Sequence, residues 1–212
     1  MTSLFERIPE EKRNRILDAA VNEFANLGFE NTNTNKIAAR AGISVGSLFQ
    51  YFENKEDIFL TTIQHCALVL KVTLENILEG EEDIFLKVEK LLRVILKHSR
   101  ENVNMIRLYN ELSTHSNSRL VLETVEDIEG MTAKLYTRII EQLQKQGEAR
   151  TDCDPRMLAF FIDNMFVMLQ FSYSCTYYQQ RFKLYAGEDI FLQDDFLVDN
   201  ALKFIKSAFT KK

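Results

Sequence analysis

The sequence predicts an all-α protein: a small three-helix head at the N-terminus followed by a larger helical domain. Three observations predict it. Proline occurs twice and glycine seven times in 212 residues, so the chain lacks the turn punctuation of a sheet protein. Seven of these nine fall where helices begin or end: Pro9, Gly28, Gly42, Gly80, Gly147, Pro155 and Gly187. Between them apolar residues recur at spacings of three and four, the period of one helix face. A 46% hydrophobic composition with 16 Phe and no Trp is globular, and 212 residues can bury a real core.

Residues 1–8 read as a flexible arm. Pro9 suits the first turn of a helix, and Glu10 and Glu11 favour its positive end. Ile16, Ala20, Phe24 and Leu27 then form one apolar stripe that ends at Gly28. Next, Asn33 is a good N-cap for a short helix with Ile37, Ala38 and Ala41 inward. Gly42 stops that helix in the left-handed conformation. Ser44 caps another whose inward positions are Leu48 and Phe52. Two short helices joined by a three-residue turn containing Gly make a helix-turn-helix, whose second helix enters the DNA major groove.

Gly46 lies inside this second helix, where glycine costs roughly 1 kcal/mol against alanine. Either a tight interhelical contact or close approach of the backbone to DNA would require it. In the second case Ser44, Ser47, Gln50 and Tyr51 are outward polar groups for phosphates or base edges, and Lys55 adds a phosphate contact. The candidate DNA-binding residues are Asn33, Asn35, Lys36, Ser44, Val45, Gly46, Ser47, Phe49, Gln50, Tyr51 and Lys55.

The run Gly28-Phe29-Glu30-Asn31-Thr32, then Ile37 to Ser44, Gly46 to Phe52 and Lys55 to Ile58, resembles the TetR family of transcriptional regulators. The resemblance is close from about Pro9 to Leu60; beyond that only helix number and length agree. Two residues depart from the family pattern. Val45 stands where Lys is frequent, and Phe49 where Tyr is usual, which removes a phosphate-bonding hydroxyl. The resemblance implies a homodimeric repressor that releases a palindromic operator when a small molecule enters its C-terminal domain. A rival reading, supported by Val45, Phe49 and the acidic charge, is a ligand-storage or interaction module that has lost specific DNA binding. A helical enzyme has only an inferred pocket in its favour.

The formal net charge is −5, and residues 1–60 carry seven Lys/Arg against nine Asp/Glu. From Asn33 to Lys55, however, Lys36, Arg40 and Lys55 outweigh Glu53, and the local charge is what phosphates meet. Domain boundaries follow: 1–53 for DNA binding, 54–212 for ligand binding and dimerisation.

The fourth helix starts at a capping-box-like Asn54-Lys-Glu-Asp57, runs to about Leu78 with Ile58, Phe59, Ile63, Cys66 and Leu70 inward, and breaks at Gly80 to Asp83. Three further segments follow. Ile84 to His98 has Val88, Leu91, Leu92 and Ile95 on one face; Asn102 to Leu112 has Met105, Ile106 and Tyr109. Ser118 to Lys145 has Leu122, Val125, Leu135, Ile139 and Leu143 inward, with Gly130 marking a bend or close contact. Asp154-Pro155 opens a long helix reaching about Lys183 and apolar nearly all round, which must be covered on both sides. A last helix, Asp195 to Phe209, turns Leu197, Ala201, Phe204, Ile205 and Ala208 to one side. Pairing of residues 155–183 and 195–209 with the same helices of a second copy gives a four-helix bundle.

Met105, Tyr109, Phe161, Asn164, Met165 and Met168 are the candidate pocket lining for an apolar or amphipathic effector. No catalytic, metal or phosphate-loop constellation has usable spacing, so no cofactor is expected. His65, His98 and His115 are isolated, and adjacent His65 and Cys66 diverge on a helix. Cys66, Cys153 and Cys175 imply no disulfide framework. The N-terminus lacks the pattern of a signal peptide, and Met157 to Cys175 is interrupted by Asp163, Asn164 and Gln170; a cytoplasmic protein without a membrane span is expected.

Overall fold

The computed structural model describes the backbone of residues 3–78, 83–114 and 119–210, and the side chains of these except at 3, 70–71, 113–114, 119–121, 123–124 and 127–128. The expectations for Leu70, Gly80, His115 and Ser118 lie outside what is described. Eleven α-helices and a 3-10 turn account for the rest of the architecture among the described residues. Packing divides the chain into two units: residues 1–70 with 104–124, and residues 71–103 with 125–212.

In the first unit, α1 (Ser3–Arg7) and α2 (Glu10–Asn31) precede the pair α3 (Thr34–Arg40) and α4 (Val45–Tyr51). The start of α5 (Lys55–Leu78) and α7 (Val103–Thr114) complete it. The flexible arm expected over residues 1–8 is corrected here. Ser3–Arg7 is helical because Phe5 is buried, its ring 4.7 Å from Phe52 and 6.0 Å from Tyr51. Arg13 also donates to the carbonyl of Glu6 at 2.9 Å. The stripe Ile16, Ala20 and Phe24 is buried as its period requires, but Leu27 is 38% exposed, being one residue before the kink at Gly28 (φ 72°, ψ 168°).

The start of α5 is a reciprocal box. Asn54 Oδ1 accepts from the Asp57 N–H at 2.8 Å, and Asp57 Oδ2 accepts from the Glu53 N–H at 3.0 Å. Phe24, Phe29 and Phe59 join α2 to α5, with Phe59 5.1 Å from Phe24 and 5.2 Å from Phe29.

The second unit is built on α6 (Ile84–Glu101), which packs against α9 (Pro155–Ser174) and α11 (Asp194–Phe209). Leu91, Leu92, Ile95 and Leu96 of α6 are buried there. Asp83 caps α6 by accepting from the Phe85 and Leu86 N–H groups. Buried Lys87 donates to the carbonyl of Leu78, closing the C-terminal end of α5. The helix α8 (Arg119–Gln146) passes Gly130 without a break, and a Cβ there would meet nothing within 4 Å; the expected bend or close contact is absent. Its Leu122 is 62% exposed rather than inward, while Tyr136, Ile140 and Leu143 are buried.

The single long helix expected from Pro155 to Lys183 is two. α9 ends at Ser174, Cys175 is extended (φ −112°, ψ 127°), and α10 (Thr176–Ala186) starts anew. The sequence from Ser172 to Tyr178 consists of residues with low helix preference, and two side chains beside the break bond backbone. Ser174 donates to the carbonyl of Ser99 at 2.9 Å, and Gln179 to that of Tyr173 at 2.8 Å. In α11 Val198, Ile205 and Phe209 are buried, but Phe204, expected inward, is 66% exposed.

The Phe5 anchor has a measurable consequence. Phe5→Ala should cost the first unit roughly 3 kcal/mol by emptying a core site. Chemical denaturation followed through the head helices should show that unit unfolding at lower denaturant.

Candidate nucleic-acid interface

The α3–α4 pair is shaped by local chemistry. Asn33 Oδ1 accepts from the Asn35 N–H at 2.8 Å and starts α3. Gly42 takes φ 68°, and the Ile43 N–H then bonds the Ala38 carbonyl at 3.0 Å, which turns the chain sharply. Ser44 Oγ accepts from the Ser47 N–H at 3.0 Å and starts α4. Ile37, Ala38 and Ala41 on α3, with Leu48 on α4 and Phe52 just beyond it, are buried and fix the crossing.

This leaves one face of α4 open. Ser44, Gly46, Phe49 and Gln50 are exposed, Val45 and Ser47 half-buried, and Asn33, Asn35 and Lys36 at the start of α3 exposed. Gly46 is not a packing glycine. A Cβ added there would meet nothing nearer than Ser44 Oγ at 3.9 Å, so the interhelical explanation for this residue falls away.

Two candidate residues are placed differently from expectation. Tyr51, expected to point outward, is 6% exposed; its ring packs on Phe5 and its hydroxyl accepts from Lys12 Nζ at 2.9 Å. The unforeseen α1 is what covers it. The Lys55 ammonium donates to the Glu30 carbonyl at 2.9 Å and sits 4.8 Å from the centre of the Phe29 ring. That ammonium therefore joins α5 to the end of α2, with further donors left on the same nitrogen. Arg40 pairs with Glu23 at 3.3 Å, which offsets part of the local positive charge.

Of the residues proposed to line a pocket, Met105 and Tyr109 belong to the first unit, and the other four lie on α9 in the second. Phe161 is 60% exposed and Asn164 is exposed, with its amide donating to the Phe160 carbonyl; Met165 and Met168 are half-buried. The apolar cavity of the second unit is lined by other residues, including Val88, Leu91, Tyr136, Ile139, Ile162 and Phe166. At about 50 Å³ it is smaller than a drug-sized ligand needs. A wider open groove of about 570 Å³ in the same unit runs between Leu74 and Glu75 of α5 and the Gly130, Met131, Lys134 and Arg138 face of α8. The groove had no sequence signal, because it depends on which faces of α5 and α8 meet.

Burial pushes the Cys66 thiol up to about 12, so it stays protonated and unreactive. No group of three metal-ligating side chains occurs among the described residues. By length and composition α5 and α9 are apolar enough to cross a membrane, but about half of the relevant stretch of each is buried within the protein.

Residues 16–62 match the family described as bacterial regulatory proteins, tetR family. The chain is 43% identical over 47 residues to the fatty acid metabolism regulator protein of Bacillus subtilis, covering 22% of this chain and 24% of that protein. It is 23% identical over 163 residues to the uncharacterized regulator YhgD of the same organism, covering 77% and 84%. The chain thus matches about a quarter of the length of the first of these relatives. Among solved structures, a TetR-family regulator from Chloroflexus aurantiacus superposes with a TM-score of 0.69 at 23% identity, covering 100% of this chain and 99% of that one. FadR from Bacillus subtilis in complex with stearoyl-CoA does so with 0.71 at 21% identity, covering 93% and 99%. At these identities the structural likeness is one of fold.

One buried charge in the second unit gives a pH prediction. Asp163 is raised to about 6, first by burial and then by the nearby charge of Glu129. The unfolded chain ionises it near ~4, so between ~4 and ~6 stability falls as pH rises, and the penalty persists above that window. Asp163→Asn should therefore melt higher than the wild type at pH 7.5 and at the same temperature at pH 4.

Proposed function

The chain belongs to the TetR family of helix-turn-helix regulators, and from that premise we propose that it is a ligand-responsive repressor acting as a homodimer on a palindromic operator. The observation that carries DNA recognition is the open face of α4, where a glycine without a packing role stands among Ser44, Ser47, Phe49 and Gln50. A helix with that gap lets DNA approach its backbone, and the flanking hydroxyl and amide groups bond phosphates and base edges. The two departures from the family pattern, Val45 and Phe49, put apolar contact where the family places charge and a hydroxyl. Affinity then leans on the backbone and on Asn33, Asn35, Lys36, Ser44, Ser47, Gln50 and Lys55. Tyr51, being buried, supports α4 instead.

Dimerisation is supported by the apolar side chains that α9 and α11 leave uncovered. Met157, Phe160 and Phe161 are 47%, 58% and 60% exposed, and Phe196 and Phe204 56% and 66%. Isolated copies would leave a large apolar surface in water. A twofold dimer presents two heads to half-sites about 34–36 Å apart. The effector is an apolar or amphipathic molecule of the second unit; it opens the narrow cavity or fills the groove between α5 and α8. Since FadR holds stearoyl-CoA, a long-chain acyl thioester is the first ligand to try. It weakens operator binding only by favouring a dimer whose heads are spaced wrongly for DNA. The place of action is the cytoplasm, where DNA and effector meet.

Fluorescence anisotropy on DNA upstream of the chain's own gene, over a salt series, tests the reading. Tight binding to one palindrome with log affinity linear in log salt is the expected result; weak binding equal on all sequences, there and in a genome-fragment selection, would refute it. On the operator so found, Gly46→Ala should keep or raise the melting temperature while weakening binding about tenfold, which is ~1.4 kcal/mol. Unchanged affinity would remove Gly46 from the interface. Phe161→Arg should turn a dimer into a monomer by light scattering and abolish tight operator binding with the fold retained.

A further inference from the structure

We propose that Glu111 of α7 is a positioning residue for the helix-turn-helix: its carboxylate holds the junction between α2 and α3, and through it the presentation of α4. The inference rests on the DNA-binding reading, which it deepens.

Gly28 departs from helical geometry and turns the chain three residues before the last position of α2. The next backbone N–H, that of Phe29, donates to Glu111 Oε1 at 3.3 Å, across 82 residues of sequence. The same oxygen lies 2.9 Å from where a Cβ on residue 28 would stand, so the carboxylate occupies the space that glycine leaves. A second tie runs parallel to the first. Asn104 Nδ2 donates to Asn22 Oδ1 at 2.7 Å. Asn104 and Glu111 are seven residues apart on α7, as are Asn22 and Phe29 along α2, so two matched ties one heptad apart align the helices.

The other side of the junction is fixed from within the head. Thr32 Oγ1 donates to the carbonyls of Gly28 and Glu23, at 2.7 and 3.1 Å, and Lys55 donates to that of Glu30 at 2.9 Å. Asn33, the cap of α3, follows directly. The direction in which α3 leaves α2 is thus set by bonds on both sides of Gly28, and Glu111 supplies one from outside the first 60 residues. Buried Ile106, Leu108 and Leu112 hold α7 in place. A charged acceptor on a half-buried N–H is among the stronger single hydrogen bonds.

The test compares Glu111→Met, which keeps the length and removes the acceptor, with Glu111→Gln, which keeps an acceptor and removes the charge. Three quantities are read in the full chain: amide exchange at Phe29, affinity for a DNA fragment selected by the wild type, and its salt slope. In E111M the Phe29 amide should exchange faster, and operator affinity should fall about tenfold at an unchanged salt slope. E111Q should stay within about threefold of the wild type in affinity, as expected when one neutral acceptor replaces a charged one. A Phe29 amide still protected in E111M, or faster exchange with unchanged affinity, would overturn the proposal. Loss of helix content in E111M with E111Q intact would assign Glu111 a merely structural role and overturn it as well. If the wild type selects no DNA, it is the DNA-binding reading that fails, and exchange at Phe29 alone then decides whether Glu111 holds the junction.

Discussion

The contact on which the first unit depends is the cluster of Phe24, Phe29 and Phe59. A helix-turn-helix of this size buries too little surface to hold its own geometry, and support must come from neighbours. Phe59 meets Phe24 edge-on at 5.1 Å, while Phe29 lies beyond the kink at Gly28, so one cluster grips both arms of the bend and the start of α5. Lys55 over the Phe29 ring and the Asn54–Asp57 box extend the same grip. α1 adds a lid on the far side through Phe5 against Phe52. The α4 face can then remain open to water because none of its residues is needed to stabilise the core.

The second unit solves a comparable problem with charge rather than aromatic packing alone. After the break α10 packs against α9 with Tyr177, Leu184 and Tyr185 exposed, and the chain continues through the 3-10 turn Glu188–Leu192 to begin α11. Arg100 of α6 holds that turn. Its guanidinium pairs with Asp194, donates to the carbonyl of Phe191 and lies 4.7 Å from the centre of the Tyr173 ring. The paired Arg100 holds the Asp194 carboxyl below its usual range. One planar side chain thereby ties the end of α9, the turn and the start of α11, a task suited to the forked donors of arginine and not to lysine.

What was legible in the sequence was local. The caps at Asn33, Ser44, Asn54 and Asp154, the left-handed Gly42, and the buried stripes Ile16–Ala20–Phe24 and Leu91–Leu92–Ile95 are set by neighbours within a few residues, and the chain folds that way. What was illegible depends on distant partners. Nothing in Ser3–Arg7 announces a helix until Tyr51 and Phe52 are there to receive Phe5, and Tyr51 looks outward until α1 covers it. The stop at Cys175 is accompanied by a bond from the Ser174 hydroxyl to the Ser99 carbonyl on α6, a partner that the neighbouring sequence does not reveal. Leu122 and Phe204 sit at apolar positions of good helical period, yet period alone does not say which face meets protein. The candidate DNA face was readable because it is local; the candidate pocket was not, because its walls come from α5, α6, α8, α9 and α11.

The uncovered side chains of α9 argue further than composition can. In a helix apolar nearly all round, Phe166, Leu169 and Phe171 are buried within the unit while Met157, Phe160 and Phe161 are not. If the outer set were merely tolerated, isolated apolar residues among polar ones would suffice, as on any protein surface. Instead two adjacent phenylalanines follow a methionine one turn earlier, their rings 6.0 Å apart, on a helix whose other face already fills a core. Such a helix is complete only when something apolar covers it. In the proposed dimer a second copy would present the same helix by symmetry, so that one surface would serve both partners, the economy that closed twofold assemblies exploit.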